Sequence, residues 1–150
     1  MTRSHTPRRA RTQRGNALLE LALFSTTLFL LLFGVADFAR IFHSSEIVAG
    51  AARAGAQFGL LSAADSADLA GMQQAAINNA GSTSGMKATA ERYCQCPGIN
   101  KRTACTSTCE GRAPNGYVQV DTEMPFDTLI HWPGIPAKQP LKGTAILRVY

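Results

Sequence analysis

Two groups of residues in this chain could do chemistry. The first is a set of four cysteines, Cys94, Cys96, Cys105 and Cys109, within CQCPGINKRTACTSTC. Four thiolates could hold a zinc ion in tetrahedral geometry, or they could pair as two disulfides in an oxidising compartment. Cys-x-Cys is an uncommon chelating pair and no histidine stands nearby, so disulfides are the expected state. A bond between Cys94 and Cys96 would close a tiny strained ring. Two pairings are left, Cys94–Cys105 with Cys96–Cys109 or Cys94–Cys109 with Cys96–Cys105, and spacing does not choose between them. Each would close a loop worth roughly 3 kcal/mol. The second group is a lone carboxylate, Glu20, inside the apolar stretch RTQRGNALLELALFSTTLFLLLFGVADFAR. A carboxylate at membrane depth needs a counter-charge, and its origin has to be found nearby.

Other reactive patterns are missing. His5, His43 and His131 are scattered, as surface or packing histidines usually are. No phosphate-binding glycine loop follows a strand, and neither a carboxylate pair nor a nucleophile with its base can be recognised. The expectation is a protein that binds and assembles, with no catalytic residue, cofactor or metal.

The element that carries Glu20 is a helix. Residues 16 to 36 hold one charge, eight Leu, three Phe and one Val. As a helix this block is about 31 Å long, close to the roughly 30 Å core of a bilayer. Its large apolar residues favour insertion by roughly 5 kcal/mol. Glu20 opposes this by at most about 3 kcal/mol, and by less because it lies near one end. A buried core helix could be as apolar, but it would leave the arginine flank unexplained. A cleaved secretory signal could end at Gly34-Val35-Ala36, yet the block is long for a signal core and the helical pattern runs through that site.

The charge distribution sets the orientation. Arg3, Arg8, Arg9, Arg11 and Arg14 precede the block with no acid among them. Of the 15 basic residues, those remaining equal the 10 acidic ones, so the net +5 belongs to the leader. A nucleic-acid-binding face would put its charge on the body, so nucleic acid is not an expected partner. Arginines stay on the cytoplasmic side. The expected topology is a cytoplasmic leader over 1–15, an inner-membrane helix over 16–37 and the remainder in the periplasm.

Beyond the membrane the helical pattern continues to residue 60. Phe38, Ile41, Phe42, Ser45, Val48, Ala49, Ala52, Ala56 and Gly59 fall on one face at three-four spacing. That face could pack on the chain's own domain, on neighbouring helices, or on both. In the domain over 61–150, Ser62-Ala-Ala-Asp65 suggests a capping box and Gly81 a C-cap. ADLAGMQQAAINNA predicts a short second helix with Leu69, Met72 and Ala76 inward, and GSTSG (81–85) reads as a linker. Strands are predicted near Lys87 to Tyr93, Tyr117 to Thr122 and Gly143 to Tyr150. MPFDTLIHWPGIPAKQP reads as a proline-rich connection unfit for a central strand, with Trp132 as an anchor within it. The fold class is α+β, a long helix packed against a short helix and a small antiparallel sheet.

Around Glu20 the order is basic leader, Gly15, Asn16, then Glu20 five residues after the glycine. This resembles the processing site of type IV prepilins and pseudopilins, where a membrane-embedded peptidase cuts after the glycine. The resemblance implies cleavage between Gly15 and Asn16, which frees an amine on Asn16. Glu20 lies four residues on, on the same helix face, and the amine can be its counter-charge within the subunit or across a filament. Leu21 stands where many Tad-type prepilins carry an aromatic residue. Asp37-Phe38-x-Arg40, followed by Ala51-Ala52-Arg53-x-Gly55-Ala56, resembles the TadE-like family of tight-adherence (Tad) pilus assembly proteins. Ala54 stands where that family often has Glu. The closing GTAILRVY after an aromatic and proline-rich connection is also similar to that family. The resemblance implies a pilin-like fold and a minor pseudopilin of the Flp pilus system, with a prepilin peptidase and other pilins as partners. The rival expectation is a membrane-anchored, periplasmic, Cys-rich binding domain outside any filament. It differs only in what Gly15 and Glu20 mean.

Overall fold

A computed structural model describes residues 10–81, 85–99, 101–129, 134 and 136–149, with side chains from Gly15 onward. The leader arginines before Ala10, His5, most of the 81–85 linker, His131 and Trp132 lie outside the described residues. The chain divides into two compact units, Met1–Ala39 and Arg40–Tyr150.

One helix, α1 (Ala10–Phe58), runs through 49 residues. In its first part the apolar side chains face outward on all sides. Leu18, Leu19, Leu21, Leu23, Phe24, Phe29, Leu31 and Val35 are all exposed. The three hydroxyls in the middle of the apolar block donate to carbonyls of the preceding turn. Ser25 and Thr26 reach Ala22 at 3.0 and 2.8 Å, and Thr27 reaches Leu23 at 3.0 Å. All three hydroxyls are satisfied within the helix, as hydrocarbon surroundings require.

From Val48 onward, α1 presents a buried stripe of small residues, Val48, Ala51, Ala52, Gly55 and Ala56, continued by Gly59 just past its end. Phe38 and Phe42, expected on this face, are exposed. The stripe they were grouped with drifts around the helix, because 3.6 residues per turn does not return to one face indefinitely. A 3₁₀ turn (Asp65–Ala67) and α2 (Leu69–Ala80) follow. Met72 and Ala76 are fully buried as expected, whereas Leu69 is exposed at the first turn. Ser62 does accept the Asp65 N–H at 3.1 Å, but at the start of the 3₁₀ turn and not of α2. The N-cap of α2 is Asp68, which accepts the Gly71 N–H at 2.9 Å. Gly81 closes α2 at φ 81°.

Four antiparallel strands, β1 (Lys87–Gln95), β2 (Arg102–Thr103), β3 (Asn115–Asp127) and β4 (Lys138–Arg148), lie in the order β2-β1-β3-β4. In β3 the alternation is strict. Val118, Val120, Thr122, Met124 and Phe126 point inward and the odd-numbered residues outward. Val118, Val120, Met72 and the alanines of α1 form the core, joined by Ala145 of β4. Each large apolar side chain buried there contributes about 1.5–3 kcal/mol.

The proline-rich stretch needs a correction. Its ends are strand, since Met124–Asp127 continues β3 and Lys138–Pro140 opens β4, with Pro125 opposite Pro140. The register makes this possible. Thr128 N–H donates to the Ala137 carbonyl at 3.0 Å and Val149 N–H to Gly116 at 2.9 Å. Hydrogen-bonded pairs alternate along an antiparallel ladder, so Pro125 and Pro140 form a pair that exchanges no bond. Their nitrogens point outward. Pro140 faces the free edge of the sheet, and Pro125 faces the side that β1, beginning at Lys87 opposite Glu123, has already left.

Candidate functional site: the long helix and its docked sheet

Gly15 begins the described side chains on a helical backbone already formed from Ala10. A Cβ placed on Gly15 meets nothing within 4 Å, so its glycine identity is not a packing requirement of the folded chain. Asn16 and Glu20 are exposed on the same helix, one turn apart. The peptide bond between Gly15 and Asn16 is therefore within a helix. Any peptidase that needs an extended substrate must open this turn, and a glycine lowers that cost by about 1 kcal/mol relative to alanine.

The second set of expected residues separates into different roles. Asp37 is 8% exposed and Phe38 is 70% exposed. The Arg40 guanidinium sits over the Phe126 ring, 5.4 Å from its centre, joining α1 to the end of β3. Arg53 points to solvent. Ala52 and Gly55 are buried under the sheet and α2. A Cβ on Gly55 would lie 2.7 Å from the Met72 carbonyl oxygen and 3.0 Å from Val120 Cγ1. The Ala-Ala-Arg-x-Gly-Ala pattern thus has a packing cause: α2 and β3 come too close to α1 for larger side chains.

Two residues that motif reading missed fix the sheet on the helix. Thr122 Oγ1, 2% exposed, donates to the Val48 carbonyl at 2.9 Å and lies 3.2 Å from the Gly143 carbonyl. A Cβ on Gly143 would fall 2.9 Å from the Val48 oxygen. The alternation of YVQVDT places Thr122 inward and could have marked it. Nothing local marks Gly143.

The cysteines form Cys94–Cys105 and Cys96–Cys109, which selects one of the two open pairings. Both lie at the end of the sheet where Gln95 pairs with Asn115. Phe126 and Arg40 mark the opposite end, roughly 35 Å away along β3 at about 3.3 Å per residue. On the outward face near the cysteines, the half-exposed Arg102 pairs with Glu91 at 2.6 Å. Its hydrogen bond to Glu91 raises its pKa above the ordinary arginine value, and its guanidinium stacks on Tyr93 at 4.2 Å. Tyr93 in turn stacks on Tyr117 at 5.6 Å. Among the described residues no group of His, Cys, Asp or Glu is arranged to hold a metal ion.

These features define an α+β protein, consistent with the pilin-like fold, whose helix α1 is long and apolar enough to cross a membrane. The most apolar window of that helix has mean hydropathy 2.1 and none of it is buried. Residues 15–57 match the family model described as TadE-like protein, in agreement with the resemblance carried by Asp37, Phe38, Arg40 and the Ala51–Ala56 stretch. The match starts at Gly15 and ends one residue before α1 does. It links the chain to the Tad pilus system. No curated protein and no solved structure matches the chain.

Proposed function

We propose that this chain is a minor pseudopilin of Tad/Flp-type pilus assembly and secretion, working by assembly and not by catalysis. The leader stays in the cytoplasm, α1 crosses the inner membrane and the disulfide-pinned domain stands in the periplasm. A prepilin peptidase removes the leader after Gly15, and the freed amine of Asn16 neutralises Glu20. The partners are the inner membrane, that peptidase and other pilins and pseudopilins.

The observation that carries this reading is the coincidence of the family match with the helix: it begins at the glycine of the proposed cut. The exposed apolar surface of residues 16 to 36 supports it, being free to meet lipid or other helices. The stripe from Val48 to Gly59 is filled by the chain's own α2 and sheet. Helix packing in a filament would therefore fall to the apolar block before it.

The N-terminus of the membrane-fraction protein is the test. A mature chain beginning at Asn16, dependent on a prepilin peptidase, is expected. An intact Met1, or a chain beginning at Asp37, would overturn the proposal and leave a plain anchored domain or a secreted one.

A further inference from the structure

The two cysteine pairings that spacing leaves open differ in how the short strand β2 must lie on β1. β2 has two residues, Arg102 and Thr103, opposite Gln95 and Cys94. It runs antiparallel to β1, so the chain beyond Thr103 heads toward the start of β1, away from Cys96. That direction brings Cys105 to Cys94, with their Cα atoms 5.1 Å apart. The chain then turns back, the Ser107 N–H donating to the Ala104 carbonyl at 3.0 Å, and Cys109 meets Cys96. Bonding Cys105 to Cys96 instead would require β2 to slide along β1 by about two residues, roughly 7 Å.

A strand this short has few backbone bonds with which to hold its register. The Arg102 side chain supplies the missing constraint. Its Nη1 donates to Glu91 at 2.9 Å and its Nη2 to Gln119 at 3.1 Å. Its planar face covers the Tyr93 ring at 4.2 Å. Gln119 is itself held, because its amide nitrogen donates to Asp121 at 2.8 Å and so turns the amide oxygen toward Arg102. Asp121 also accepts the Thr144 hydroxyl, which carries the network to β4. The guanidinium fork thus meets fixed acceptors on β1 and β3 and its face a fixed ring on β1. A slide of roughly 7 Å breaks all three contacts.

We propose that Arg102 is the positioning residue that selects Cys94–Cys105 with Cys96–Cys109 over the other pairing. The oxidation itself does not discriminate. In either pairing each new bond takes two protons and two electrons from two cysteine thiols, and one glutathione disulfide receives them and leaves as two glutathione thiols. The outcome follows from which thiols the β2 register brings together.

Full-length protein in detergent is reduced, unfolded and returned to a glutathione buffer until thiol exchange reaches equilibrium. Acid traps the products, and fragmentation mass spectrometry of the linked peptides counts the two isomers. Arg102→Gln is expected to raise the ratio of the Cys94–Cys109 isomer to the native one about tenfold, the combined worth of a surface ion pair and an exposed cation–π contact. Arg102→Lys keeps the charge but has neither the fork nor the planar face, so its ratio should fall between the two. Thr122→Val weakens the docking of the sheet on α1 without touching β2, and should leave the ratio at the wild-type value. An unchanged ratio in Arg102→Gln overturns the proposal. An equal rise in Thr122→Val also overturns it, because the effect would then belong to a general loss of stability. If Arg102→Gln does not refold, Arg102→Lys carries the same test, and a wild-type ratio there is the contrary result.

Discussion

The hydroxyl of Thr122, in the middle of β3, donates a 2.9 Å hydrogen bond to the main-chain carbonyl of Val48, 74 residues earlier in α1. A carbonyl within a helix normally serves only its own ladder. Here it also receives a strand side chain, and both groups are cut off from water. The bond sets where along the helix the sheet docks.

Removing that bond has a measurable cost. Thr122→Val keeps the shape and leaves the Val48 carbonyl with its helical partner alone, so a loss of about 1 kcal/mol is expected. Thr122→Ser keeps the hydroxyl and should recover much of it. The midpoint of denaturant unfolding, followed in detergent, reads both. Equal midpoints for wild type and Thr122→Val would remove the bond from the account.

Two glycines in the same helix should respond with opposite signs. Gly55→Ala forces a methyl against the Met72 carbonyl and Val120, and overpacking of this kind costs about 1–3 kcal/mol. Gly50→Ala meets only the Asn79 side chain at 3.7 Å, so it should gain up to about 1 kcal/mol of helix propensity. Unfolding midpoints that move in the same direction for both would contradict the packing derived for α1.

Peptide mapping without reductant should recover Cys94 linked to Cys105 and Cys96 linked to Cys109. The double variant Cys94→Ser/Cys105→Ser opens the crosslink at the fully buried Cys94. It is expected to lose roughly 3 kcal/mol. Finding Cys94 joined to Cys109 would reassign the loop.

Glu20→Gln removes the charge that the new amine of Asn16 is proposed to neutralise. Membrane insertion should persist, because the apolar block outweighs one charge by several-fold, at roughly 5 against at most about 3 kcal/mol. Incorporation into pili should fall. Comparing the variant in membrane and sheared-pilus fractions checks both halves, and undiminished incorporation would reduce Glu20 to a helix-end carboxylate.

Gly15→Val puts a β-branched side chain at the proposed cut without touching any packed group, since a Cβ there meets nothing within 4 Å. The uncut chain should accumulate with its leader attached, read as a mass increase of the membrane-fraction protein, while its fold and disulfides remain intact.

Patterns that repeat along the chain were open to direct reading. The apolar block with its arginine leader identifies a candidate span by length and transfer energy alone. The strict alternation of YVQVDT marks a half-buried strand, and four cysteines in a short stretch limit the pairings to two. Each of these depends on near neighbours, and near neighbours are what periodicity records. The tertiary structure decided the rest. It chose Cys94–Cys105 with Cys96–Cys109 by bringing distant backbone segments within bonding range. It made strand of Met124–Asp127 and Lys138–Pro140, because a register no local rule specifies turns both proline nitrogens away from the ladder. It exposed Leu69, Phe38 and Phe42, and it gave Thr122, Gly55 and Gly143 their importance. The physical reason is common to all of them: a close approach between residues far apart in sequence is set by which surfaces meet, and that is a property of the assembled layers, not of any window of the chain.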